Sequence, residues 1–428
     1  MATTYLSRTL GTPTLATKAT CSLWFKRSKP DENGSIIFGN SNGGGIFLSS
    51  NNSMYVYNND SSFLQTNRLF RDVNAWYHVV YSVDTTQSTA SDRVKLYING
   101  VQETSFASSS YPNQNSASLL GTATEHNIGR NNSGSNFFNG SMSHVHFIDG
   151  TAYDASAFGE TDANGVWTIK ISPSVTYGNN GFFILKDGNS VTDQSGNSNN
   201  FTVGGGTLTN TEDNPSNVFA TFNPLVYSNL SYANGNTIIT NSTNGHNSSV
   251  STIAVNSGKW YCEAKFVDGS SARSMVGITE YEKTFLNNIV GSTSNSYGFY
   301  RGNGKKYTNN VAIDYSTAPA NGDIIMVAFD ADNGTLWFGK NGTWLNNATQ
   351  SEIENGTTTN SAFSGIDTSI YRGFGASAED CSTYMNFGNG YFGTTAVSSA
   401  GTNASGIGIF EYDVPTGYTA LSTKGLNL

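Results

Sequence analysis

Hydrophobic positions along this chain fall into short alternating runs bounded by Gly, Asn, Asp and Ser, and the i, i+3, i+4, i+7 spacing of an amphipathic helix is nearly absent. In the first half the pattern predicts strands over 19–26, 35–38, 45–48, 53–57, 76–83 and 93–98. Asn99-Gly100 stands between two alternating segments, and a two-residue type I′ turn needs positive φ at both central positions, so a hairpin is expected there. Residues 141–148 alternate, which places Met142, His144, His146 and Ile148 on one face and Ser143, Val145 and Phe147 on the other. Residues 182–185 form a continuous apolar run. The second half is again strand-like, over 259–266, 274–279, 297–300, 323–329, 335–338 and 384–387.

Composition supports an all-β reading. Charged residues are 12 % of the 428 positions, about half the usual share, while Gly numbers 46 and Asn 52, with many Ser and Thr. These are turn and strand residues. The length suits two domains. The net charge of −9 and the lack of Lys or Arg clusters beyond pairs such as Lys305-Lys306 argue against a nucleic-acid partner. Residues 1–10 have no apolar core of a signal peptide, and no run approaches the length of a membrane span, so neither secretion nor a membrane is expected. The three cysteines, Cys21, Cys262 and Cys381, are read as reduced thiols.

The polar stretch ending in Asp213-Asn214-Pro215 marks a boundary. Before it, Trp76-Tyr77-His78-Val79, Arg93 to Gly100, Asn127-Ile128-Gly129 and Phe138 to Ile148 resemble the strand series of a laminin-G-like or concanavalin-A-like jelly roll. After it, Ser257 to Glu263, Val276-Gly277-Ile278, Tyr297-Gly298-Phe299, Asn321-Gly322-Asp323, Gly334 to Gly342 and Asn386-Phe387-Gly388 resemble a SPRY domain in order and spacing. Cys262 departs from that family's frequent aromatic and implies a repacked first strand. The resemblance implies a concanavalin-A-like jelly-roll sandwich at 1–205, a linker at 206–219, a SPRY β-sandwich at 220–392, and a C-terminal tail at 393–428 expected to pack on a neighbour or a partner chain. The opening segment, the linker and the closing Asp413 to Leu421 are also similar to structural proteins of tailed bacteriophages, particularly those of marine bacteria.

Catalytic chemistry finds little support. Concanavalin-A-like glycosidases need paired carboxylates on one strand, and the nearest approaches are Asp330-Ala331-Asp332 in a hairpin and Glu411-Tyr412-Asp413 in the tail. Gly39-Asn40-Ser41-Asn42-Gly43 matches a nucleophile elbow in letters, but a strand follows where a helix is required. Arg301 to Lys306 reads as a turn. His144 and His146 lack a third ligand. Calcium is the better metal candidate, since jelly rolls of this kind often hold it with loop carboxylates, here Asp149, Asp187 and Asp193.

Aromatic side chains give the candidate binding residues. Alternation puts Leu336 and Phe338 on the core face and Trp337 outside, Tyr300 is opposite in phase to Phe299, and Trp344 follows the Asn341-Gly342 turn. These three either contact a ligand, or fill an interface with the other domain or another subunit, or lie under a loop; Tyr55 and Tyr57 share one strand face and pose the same alternatives. The expected function is a non-enzymatic virion structural protein, present as a homo-oligomer or in many copies, that contacts other virion proteins and a host-surface glycan or protein. The alternatives are a capsid-decoration protein and, with less support, a polysaccharide-degrading enzyme.

Overall fold

A computed structural model describes residues 3–32, 35–40, 43–59, 62–131, 133–186, 188, 190–226, 229–268, 273–280 and 288–428, with the side chains of 35–40, 59 and 268 excepted. The chain is nearly all β and divides into two units, 1–210 and 211–428. Asn supplies most of the described non-glycine residues at positive φ, the conformation that tight turns require. Among the described residues no helix is long and apolar enough to cross a membrane.

Unit 1 is a sandwich of an eight-stranded and a six-stranded sheet. The larger sheet runs in spatial order Phe106–Ser110, Ser62–Leu69, Ser53–Asn59, Gly45–Leu48, Ser35–Asn40, Glu125–Ile128, Tyr5–Thr9 and Thr202–Gly204. The smaller runs Phe182–Ile184, Gly140–Asp149, Lys18–Arg27, Tyr77–Asp84, Val94–Ile98 and Val101–Gln102. Alternate residues such as Ile46, Leu48, Met54, Val56 and Leu64 from one sheet meet Cys21, Leu23, Phe25, Val79 and Tyr81 from the other. The outer face of the smaller sheet is covered as well, by Ala155, Phe158 and Trp167 over Val80 and Ile148. That is why Lys18–Arg27 is buried along both faces.

The predicted hairpin at Asn99-Gly100 is present, with φ of 49° and 82°. Gly100 is doubly constrained, because a Cβ there would lie 2.5 Å from the Trp167 ring. The strand at 140–149 departs from simple alternation. A bulge falls between Ser143 and His146, with His144 at φ 48°, and it reverses the phase. Met142 therefore packs toward the core, opposite to the expected face, while Val145 and Phe147 stay inward.

Unit 2 is a second sandwich of an eight-stranded and a six-stranded sheet. Its core joins Trp260, Cys262, Ala264, Leu336 and Phe338 to Val276, Ile278, Phe299 and Phe374. Cys262 is fully buried in that core. Residues 211–219, expected as linker, are built into this unit: Asp213 Oδ1 accepts the Phe219 amide at 3.2 Å, and Phe219 bridges to Ser422. The tail is likewise part of the unit, with Thr419–Ala420 pairing in parallel with Trp260–Tyr261.

Candidate functional site

In unit 2 the alternation of Thr335–Lys340 sends Leu336 and Phe338 into the sandwich and Trp337 to the opposite face, as expected. That face is not open. Tyr261, Met326, Ala328, Trp337, Trp344 and Ile353 are roofed by Phe410, Val414, Tyr418 and Ala420 of the tail, and Trp337 is 0 % exposed. Trp337 and Trp344 thus lie under the tail, one of the alternatives expected for them, and not on an open contact surface. Tyr300 does not join them: it lies on the other sheet, edge-on to His246 at 6.0 Å and to Tyr307 at 5.8 Å. Beside it Glu379 bridges Arg273 and His246, the latter at 3.1 Å.

One buried carboxylate fastens the tail. Glu263 accepts the backbone amides of Glu411 and Tyr412, both at 2.9 Å, the Tyr261 hydroxyl at 3.1 Å and the Asn386 amide at 3.3 Å. Burial outweighs these four donors and pushes its pKa up to about 7.

The carboxylates with candidate chemistry are already engaged. Asp330 is fully buried and holds the Asn333 backbone and side-chain amides at 2.9 Å, and Asp332 accepts the Gly258 amide at 2.8 Å. Glu411 accepts the Ser398 amide at 2.8 Å, and Asp413 the Thr402 amide at 2.6 Å. Asp149 Oδ2 takes the amides of Thr14 at 2.7 Å and Asn180 at 3.0 Å. Asp193 takes those of Phe183 at 2.8 Å, Ser195 at 2.9 Å and Asn199 at 2.8 Å. Both carboxylates tie loop amides together, and Asp187 lies outside the described residues. Among the described residues no group of three His, Cys, Asp or Glu side chains is placed to hold a metal. His144 and His146 instead pack on Phe183, His146 at 3.9 Å and stacked. The formal elbow at 39–43 includes Ser41 and Asn42, which also lie outside the described residues. The cysteines are buried and free of disulfides.

Tyr55 and Tyr57 are in a different position. Both are partly exposed on the outer face of the larger sheet of unit 1, near-parallel at 9° with ring centres 5.8 Å apart. Phe47 stands directly across from Tyr55 and Phe63 directly across from Tyr57, with ring centres at 6.0 and 5.7 Å. Four rings from three adjacent strands so form one platform, separate from the sandwich core. Phe47 and Phe63 escape a reading of single strands, because only the register between strands brings them to the tyrosines. Beside the platform Gln65 pairs with Tyr55 and donates to Ser53 Oγ at 3.2 Å.

Comparison with known proteins fits the two sandwiches. Residues 3–157 match the concanavalin A-like lectin/glucanases superfamily, and residues 259–388 match the SPRY domain. Among solved structures the chain is similar to the SPRY domain of human HERC1, at 19 % identity over 38 % of this chain and 96 % of that one, with a TM-score of 0.31. A second human SPRY domain is similar at 13 % identity over 37 % of this chain and 94 % of that one, with a TM-score of 0.28. No curated protein matches the chain. It carries a concanavalin A-like domain followed by a SPRY domain.

Proposed function

We propose that this chain is a non-enzymatic binding protein whose contact surface is the Phe47, Tyr55, Tyr57 and Phe63 platform, and that its ligand is a glycan or protein of a host surface. The observation that carries the reading is the platform itself. Four aromatic rings gathered on the outside of a sheet cost solvation without adding to the core, and such rings are enriched where partners dock. The engaged state of every candidate carboxylate pair supports the non-enzymatic part. The setting proposed is the virion of a tailed bacteriophage, resting on the sequence similarity of the opening segment, the linker and the tail. Copies arrayed on a particle would raise a weak single-site affinity through effective concentration.

The test is attachment. A double Tyr55→Ser, Tyr57→Ser variant that keeps its melting temperature is expected to lose binding to host cells or to host envelope material. Undiminished binding would sink the platform. Immunogold labelling of particles tests the setting: label at tail or fibre tips fits host attachment, label spread over the shell fits decoration, and unlabelled particles exclude the virion.

A further inference from the structure

We infer that residues 154–176 form an acid-released flap over the outer face of the smaller sheet of unit 1, and that protonation of His78 lets it go. Opening uncovers Trp24, His78, Val80 and Ile148 and leaves the sandwich core closed.

The flap is a layer of its own. Ala155 and Phe158 pack on Val80 and Ile148 in an apolar cluster separate from the core between the two sheets. Its one ladder is internal, Gly159–Thr161 with Trp167–Ile169. Both ends are pinned. Thr20 Oγ1 donates to the Thr151 carbonyl at 2.9 Å and accepts the Tyr153 amide at 2.8 Å, and the Asp149 amide donates to the Tyr177 carbonyl at 2.8 Å. Between these hinges, among the described residues, one hydrogen bond joins the flap to the sheet, from Trp167 Nε1 to His78 Nδ1 at 2.9 Å.

That bond cannot survive protonation. An indole N–H only donates, so Nδ1 of His78 is bare and its proton sits on Nε2, 2.9 Å from Ser22 Oγ. A second proton would set two N–H groups against each other where His78 is buried from water. Neither ring is free to turn aside: His78 is stacked on Trp24 at 4.8 Å, and Trp167 lies in a slot between Gly100 and Gly159, where a Cβ would collide with it.

The charged and titratable neighbours do not rescue the cation. His144 on Gly140–Asp149 opposes it, and His146, beneath Phe158, is opposed by both other histidines. Lys26 on Lys18–Arg27 is held by Asn74 Oδ1 at 3.0 Å, Lys95 and Asp154 act on Tyr97 of Val94–Ile98, and Glu160 and Asp162 of the flap are exposed. With burial the largest cause, His78 titrates at about 3 beneath the flap, against 6.5 when free. The depressed value makes the closed flap strongest above 6.5 and weaker as pH falls. From pH 7.5 to 5 the open-to-closed ratio rises about thirtyfold through His78 alone, and burial of His146 adds in the same direction.

Hydroxyl-radical footprinting of the full chain, read residue by residue by mass spectrometry between pH 7.5 and 5, tests the flap. Labelling of Trp24 and Phe158 is expected to rise as pH falls while Tyr81 in the sandwich core stays protected. His78→Gln keeps an acceptor for Trp167 but takes no proton, and is expected to lower the rise in open-to-closed ratio about thirtyfold. Trp167→Phe lacks the donor, and is expected to label at Trp24 and Phe158 more than the parent already at pH 7.5. A thermal melt at pH 7.5 shows that each variant is folded. If Trp24 and Phe158 become labelled only together with Tyr81, the unit opens as a whole and the flap is overturned. An unchanged acid response in folded His78→Gln would overturn His78 as the trigger.

Discussion

Glu263 sets two demands against each other. Four donors around its carboxylate favour the ionised form, yet burial dominates and raises the pKa to about 7. A carboxyl whose folded pKa lies above its unfolded value contributes its full stability below the unfolded value, 4.5, and loses it as pH rises through 7. Above pH 7 the cost is about 3 kcal/mol. Glu263→Gln is therefore expected to remove the fall in stability of unit 2 between about pH 4.5 and 7 and leave the opposite trend of His246, read by urea denaturation at several pH values. Trp337 makes a simpler case. Fully enclosed by strand and tail, it is expected to cost about 3–5 kcal/mol on truncation to Ala, with no effect on ligand binding at Tyr55 and Tyr57. Loss of binding with unchanged stability would restore Trp337 as a contact residue.

The tail shows what single-strand reasoning can and cannot reach. Alternation in 335–340 places Trp337 on the outer face, and that much is legible from the residues. What covers the face is not, because Phe410, Val414 and Tyr418, although four residues apart, lie in an irregular segment broken by Pro415 and Gly417. Their burial depends on a distant carboxylate, Glu263, that holds two tail amides. The same limit hid Phe47 and Phe63 from the site, since partners across strands are set by register. It also hid the Ser62–Leu69 strand, whose outward positions mix Phe63 with Gln65 and Asn67, and Gly373–Ala378, whose Gly, Ala and Ser lack a hydrophobic signal. The bulge at His144 likewise follows from pairing rather than from the run itself. Removing residues 409–428 is expected to expose Tyr261, Trp337 and Trp344 together, seen as strong binding of a hydrophobic dye and a red shift of Trp emission in unit 2. A truncated chain with native emission and no dye binding would show that the roof is dispensable.

The two units are built to respond to acid in opposite directions. In unit 1, burial and the neighbouring His144 lower the His78 pKa to about 3, and His146 is lowered by burial and by the other two histidines. The geometry agrees: the Trp167 indole can only donate, so its 2.9 Å bond to His78 Nδ1 requires that nitrogen to be unprotonated. A histidine with a depressed folded pKa contributes stability that is present above its unfolded value, 6.5, and is lost as pH falls toward the folded one. At pH 5 the loss from His78 is about 2 kcal/mol, and His146 adds to it. In unit 2 the shift from pH 7.5 to 5 protonates Glu263 and returns about 2 kcal/mol, offset in part by His246, which burial also lowers. Calorimetry at pH 7.5 and pH 5 should therefore show the transition of unit 1 moving down while that of unit 2 holds or rises. His78→Gln should blunt the first movement, and Glu263→Gln should remove the gain in unit 2. Both transitions falling in parallel would mean that neither buried group governs the acid response of its unit.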